Sequence, residues 1–182
     1  MADKIRHDFR LFVPKQAVGA SLVYFDLYNA SGSGFAVHIA SIQPVVSGAV
    51  AVTGVVGVDL LLTGTTAIGT GGTAATFGGT DTTACTISGL NPKNTFPTSS
   101  ITARLTPSGG ATAGRVLTWC SLFTEETSSG AYQGKLNDLV NLFDDSEDIV
   151  VPEGTGIRIV QGAVASVGNI GFNIAFGLTQ TN

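Results

Sequence analysis

Apolar residues recur at every second position over most of this chain, in runs broken by Gly, Pro and Asn before any could become a long helix. That period fixes what the chain can form, because side chains two apart share a face only on an extended strand. The last run is the clearest: Ile170, Phe172, Ile174 and Phe176 fall on one face, and Gly171, Asn173, Ala175 and Gly177 on the other. The first face reads as a core row. The second is small enough to admit close approach of another backbone.

Earlier runs follow the same rule. From Ser21, Leu22, Tyr24, Asp26 and Tyr28 alternate with Val23, Phe25 and Leu27, and Asn29-Ala30-Ser31-Gly32 supplies a turn. Phe35, Val37 and Ile39 predict a second strand, closed by Pro44, which has no N–H to give a ladder. Val50 and Val52 lead through Gly54 to Val56, Val58, Leu60 and Leu62, a long strand with a bulge or bend at its glycine. Ala84–Ser88, Ile101–Thr106, Arg115–Thr124, Gly156–Val160 and Ile170–Leu178 complete the set. Short strands at this spacing predict an all-β fold, an antiparallel β-sandwich or barrel.

Three segments depart from the pattern. Residues 1–20 carry charge at the start and Val13-Pro14-Lys15 later, and read as an N-terminal arm ahead of a single β domain over 21–182. Thr63–Thr83 is almost pure Gly, Thr and Ala and reads as a long loop at a subunit boundary. Leu136, Leu139, Val140 and Phe143 have helical spacing, and the acids that follow oppose the helix dipole, so one short helix is expected.

Composition narrows the function. Hydrophobic residues make up 43% and charged residues 12%, well below the charge of an average soluble domain. The longest apolar runs, such as Val55–Leu62, are far shorter than the ~20 residues of a spanning helix, so no membrane is expected as partner. A bland Thr/Ser/Gly/Ala exterior suits coverage by other protein. The nine Lys and Arg residues are scattered and net charge is −4, which argues against nucleic acid. The opening Met1–Arg10 has no apolar h-region, so synthesis in a cytoplasm is expected.

No catalytic constellation emerges, and the chain is read as not an enzyme. His7 and His38 are the only histidines, one in the charged opening and one in mid-strand. Cys85 and Cys120 are too isolated for a zinc site and read as small core residues. Asp144, Ser146 and Asp148 copy the opening of a calcium loop, but Ile149 and Thr155 stand where its glycine and glutamate belong. Neither the glycines of 69–79 nor Gly130–Leu136 matches a nucleotide-binding loop, so no cofactor is expected. Asp26, Asp59, Glu125 and Glu126 are the carboxylates a glycosidase would need to bring together, and nothing in the sequence does so.

The run Ala51–Leu60, continuing into Thr66–Thr76, resembles virion proteins of tailed bacteriophages and their prophages, as do Ile101–Pro107, Phe123–Thr127 and Ile149–Gly154. The likeness spans residues 40 to 178. It implies a structural component of the particle: a cement or decoration protein on the capsid exterior, jelly-roll-like, binding the major capsid protein and itself, a homotrimer in preference to a dimer. On that reading Phe9, Leu11 and Phe12 of the arm and Thr70, Thr73, Thr76 and Phe77 of the loop are the candidate contact residues. A tail or fibre component is the rival within a virion. A carbohydrate-binding sandwich is the rival outside it, with Trp119, Tyr24, Tyr28 or Tyr132 stacking on sugar rings, although Trp119 within its apolar strand reads as core.

Overall fold

A computed structural model of the chain describes residues 7–47, 54–79, 84–109, 113–127, 130–131, 148–164 and 168–181. It is an all-β sandwich. One sheet contains, in spatial order, β11 (Ile149–Val151), β3 (Phe35–Ser47), β13 (Asn169–Gln180), β1 (Phe9–Ala17), β7 (Thr86–Gly89) and β6 (Thr76–Phe77). The other contains β10 (Gly130–Ala131), β9 (Ala113–Thr127), β4 (Gly54–Thr65), β12 (Thr155–Gln161), β2 (Val23–Asn29), β8 (Ile101–Leu105) and β5 (Thr73–Ala74). Strand pairs are antiparallel except β6 with β7.

Setting aside β5–β8 and the two-residue β10 leaves sheets ordered β11-β3-β13-β1 and β9-β4-β12-β2. The chain changes sheet at every step among these strands except from β4 to β9, which is the double Greek key of a jelly roll. The segment between β4 and β9 is an insertion. It lengthens both sheets on the same side, adding β7 and β6 beside β1 and β8 and β5 beside β2.

The expected core rows meet between the sheets. Ile170, Phe172, Ile174 and Phe176 pack with Leu11, Val13, Ile39 and Ile42 against Phe25, Leu27, Leu60, Leu62, Ile157 and Ile159. The small face of β13 admits a backbone as expected: a Cβ on Gly171 would lie 2.6 Å from the Val13 carbonyl oxygen, where the β1–β13 register shifts between Val13 and Gln16.

Several expectations require correction. The stretch read as an arm supplies β1, held between β13 and β7, with Phe9, Leu11 and Val13 buried. Each of those side chains contributes about 1.5–3 kcal/mol by leaving water, so this strand belongs to the frame. Pro44 does not close β3. It pairs with Phe172 of β13, and β11 reaches only Val37–Ile39 on the other side, so the missing N–H costs no ladder bond there. The alternation in β2 also breaks: the register with β12 shifts between Ile159 and Val160, leaving Tyr24 without a counterpart. That bulge turns Tyr24 inward beside Phe25, and both rings meet Phe172.

The segment read as one loop begins inside β4 and then forms two edge strands. β5 pairs with β8 in one sheet, β6 with β7 in the other, and Ala75 alone joins them. A Gly/Thr/Ala sequence suits this path because it must cross the open side of the sandwich without a core row of its own. The helix expected around Leu136–Phe143 lies outside the described residues. Among the described residues there is no helix.

Candidate interaction surface

The outer face of the second sheet is built by simple alternation. Val58, Leu60 and Leu62 of β4 are buried against the first sheet, so Leu61 points away from it. Leu61 is in register with Trp119 on β9 and Val160 on β12, and Val160 with Val23 on β2. Four apolar side chains thus form one row across four strands on the outside of the sandwich. Trp119 ends the row at 64% exposure, with Val116 nearby at 51%. The core reading of Trp119 is therefore wrong. The run Val116-Leu117-Thr118-Trp119-Cys120 is apolar at both parities, and only the pairing with Leu61 reveals which side faces water.

Polar pairs flank the row. On one side Ser121 donates from its hydroxyl to Asp59 Oδ1, directly across β9 and β4. On the other, Arg158 Nε donates to Thr63 Oγ1 at 3.2 Å. The same row continues through Asp26, which stands opposite Arg158 on β12 and Arg104 on β8.

Among the described residues Asp26 is the one buried charged residue of this face, at 1% exposure. Its cover is the start of the insertion: Gly69 N donates to Asp26 Oδ2 at 2.6 Å, and Pro107 packs beside Gly69 so tightly that a side chain on Gly69 would collide with both. Burial raises the Asp26 carboxyl above its ordinary 3.8, opposed by the Gly69 N–H and by the Arg104 and Arg158 charges.

Other polar groups hold the frame. Tyr24 donates its hydroxyl to Gln161 Oε1 at 2.6 Å, Gly19 N donates to the same oxygen at 2.9 Å, and Gln16 Nε2 donates to the Tyr24 carbonyl at 2.9 Å. Burial pushes the Tyr24 hydroxyl up to about 12. Glu153 receives Gly32 N at 2.8 Å and Gly34 N at 3.0 Å, and Thr181 Oγ1 at 2.6 Å, tying the β2–β3 turn to the end of β13. His38 lies 2.8 Å from Thr179 Oγ1, and His7 lies 2.8 Å from Asp148 Oδ2. Cys85 is buried as expected, and the side chain of Cys120 lies outside those described.

The residues expected to make contacts divide. Phe9 and Leu11 face the protein's own core and offer nothing to a partner, while Phe12 is half-buried on the outer side of β1. Thr70, Thr73, Thr76 and Phe77 are exposed, but they sit along the insertion edge, at the far side of the sandwich from β9. Of the aromatic residues considered for sugar stacking, Tyr24 is fully buried, Tyr28 is half-buried, Tyr132 lies outside the described residues, and Trp119 alone is presented to solvent. Among the described residues no group of three or more His, Cys, Asp and Glu comes together as a metal site.

No family model matches the chain, and comparison with curated proteins and with solved structures likewise returns no match.

Proposed function

We propose that this chain is a non-catalytic structural protein of a virus particle, a cement or decoration protein that binds the outer capsid surface through the outer face of its second sheet. The carrying observation is the solvent-facing row Val23–Val160–Leu61–Trp119, ending in an exposed indole. An exposed Trp among aliphatic neighbours is the side-chain type that anchors protein interfaces, and the polar pairs beside it form a rim. Jelly rolls recur in viral capsid proteins, which supports the reading by analogy of fold alone. The partner is then the major capsid protein, with self-association into a homotrimer favoured over a dimer.

Purified chain incubated with undecorated capsids and sedimented tests this. Wild type co-sediments at saturable occupancy, and Trp119→Ala lowers occupancy at least tenfold while keeping its fold. Absence of co-sedimentation, or equal occupancy of the variant, refutes the reading. Immunolabelling of particles separates a capsid position from a tail or fibre.

A second reading is favoured by one specific observation: the exposed Trp119 stands beside the Ser121–Asp59 pair, an aromatic platform next to hydroxyl-binding groups. An exposed aromatic ring with polar groups beside it suits stacking on a sugar ring, which supports a carbohydrate-binding module. Trp119 is the only tryptophan, so its fluorescence reports sugar binding directly. Saturable quenching by an oligosaccharide supports this reading, and a flat response across a glycan panel eliminates it.

A further inference from the structure

We propose that residues 66–79 form a releasable clasp over the insertion side of the sandwich, and that protonation of Asp26 holds it closed. The clasp is lightly built. Its strands are two residues each, all four of those residues are exposed, and it contains no charged side chain. Ala75 N donates to the Ala103 carbonyl, Thr76 N to that of Cys85 and Gly78 N to that of Ile87, and Phe77 stacks on Phe96 with ring centroids 5.7 Å apart.

Its base rests on Asp26. Gly69 N bonds Asp26 Oδ2, and Arg104 Nη1 bonds the Gly71 carbonyl at 3.0 Å, so the closed clasp and the Asp26–Arg104 pair share one joint. Asp26 Oδ1 is buried with no hydrogen-bond partner among the described residues. Gly69 and Pro107 shield this carboxylate, so closing the clasp removes water from a charge. The charged and titratable groups facing Asp26 are Arg104 on β8, Arg158 on β12 and the buried Cys85 thiol, whose ionisation Asp26 opposes.

The linkage has a definite sign. Closing the clasp adds to the burial that raises the Asp26 carboxyl above its ordinary 3.8 and leaves Oδ1 without a partner, so the closed clasp favours the protonated form more than an open one does. The closed state binds the proton more tightly, so acid closes the clasp and rising pH loosens it. Opening bares the outer edges of β7 and β8, backbone that another strand can pair with.

Amide hydrogen exchange tests this, with protection factors corrected for intrinsic rates. Protection of Ala75, Thr76 and Gly78 falls as Asp26 loses its proton, by about tenfold for each unit by which closure raises its pKa, and levels off once it is ionised, while that of Gln161, bonded to the Leu22 carbonyl, does not follow. Asp26→Asn keeps an acceptor for Gly69 and flattens the dependence. Arg104→Met moves the slope to higher pH. The proposal is overturned if clasp amides track Gln161 at every pH, or if the slope survives in Asp26→Asn. Should that variant not fold, the wild-type slope and its displacement in Arg104→Met decide.

Discussion

Trp119 and Leu61 stand directly opposite each other on β9 and β4, on the side of the sheet that faces away from the core. The indole lies on the surface, so its loss leaves the interior intact. Trp119→Ala is expected to change unfolding free energy by no more than about 0.5–1 kcal/mol, read by chemical denaturation monitored by circular dichroism. A loss of several kcal/mol would return Trp119 to the core and remove the basis of the proposed surface.

Removing residues 1–14 is expected to abolish folding, because it takes away Phe9, Leu11 and Val13 and uncovers the edges of β13 and β7. The finer version is Leu11→Ala, expected to cost about 2–5 kcal/mol. Soluble, cooperatively melting protein after the truncation would contradict the central placement of β1.

Gly171→Ala is expected to destabilise by about 1–3 kcal/mol, since the new methyl meets the backbone of Val13, Pro14 and Lys15, which cannot swing aside as a side chain would. Gly32→Ala offers a control of a different kind: nothing lies within 4 Å of its Cβ position, and only its positive φ resists substitution. A thermal melt in which Gly171→Ala equals wild type would refute the close approach.

Alkali is expected to unfold the protein through two buried groups. Burial pushes Tyr24 from 10.0 up to about 12 and Cys85 from 9.0 up to about 12, the latter aided by the Asp26 charge. Both are favoured neutral in the fold, so their contribution is complete below pH 9 and declines as pH rises toward 12. Cys85→Ala removes the lower part of that decline, and Tyr24→Phe removes the upper part at a cost of about 1–2 kcal/mol for the lost bond to Gln161. Denaturation midpoints across this range provide the measurement.

Acid acts at a different place. The Thr181 hydroxyl, helped by the N–H groups of Gly32 and Gly34, holds Glu153 below its ordinary 4.5. Its tie to the end of β13 is full above 4.5 and lost as pH falls through the lowered value. Exchange of the Thr181 amide, bonded to the Gly34 carbonyl, is expected to quicken there in wild type and to be quick throughout in Glu153→Ala. No difference between the two would dismiss the tie.

Strand existence and the rows of β13 and β4 were legible because period-two alternation is a local property, and the jelly-roll expectation agrees with the topology. What could not be read was set by pairing. The opening reads as an arm because the charge at its start, Val13-Pro14-Lys15 and Gly19 obscure the alternation of Phe9, Leu11 and Val13, and nothing local reveals that two neighbours cover it. Tyr24 changed sides through one bulge. Trp119 looked buried because its neighbours are apolar, and its exposure follows from β9 having no layer outside it among the described residues. The Asp26 cover needed Gly69 and Pro107, far apart in sequence, to converge.

The pairing of β1 with β13 reaches beyond architecture. The middle of the first sheet joins the earliest and latest strands of the domain, so on a ribosome the sheet stays unfinished until its closing segment has emerged. Such long-range closure makes folding slow. Until β13 emerges, the nascent chain carries an open β edge along β1, the period when chaperones or promptly assembled neighbours matter most.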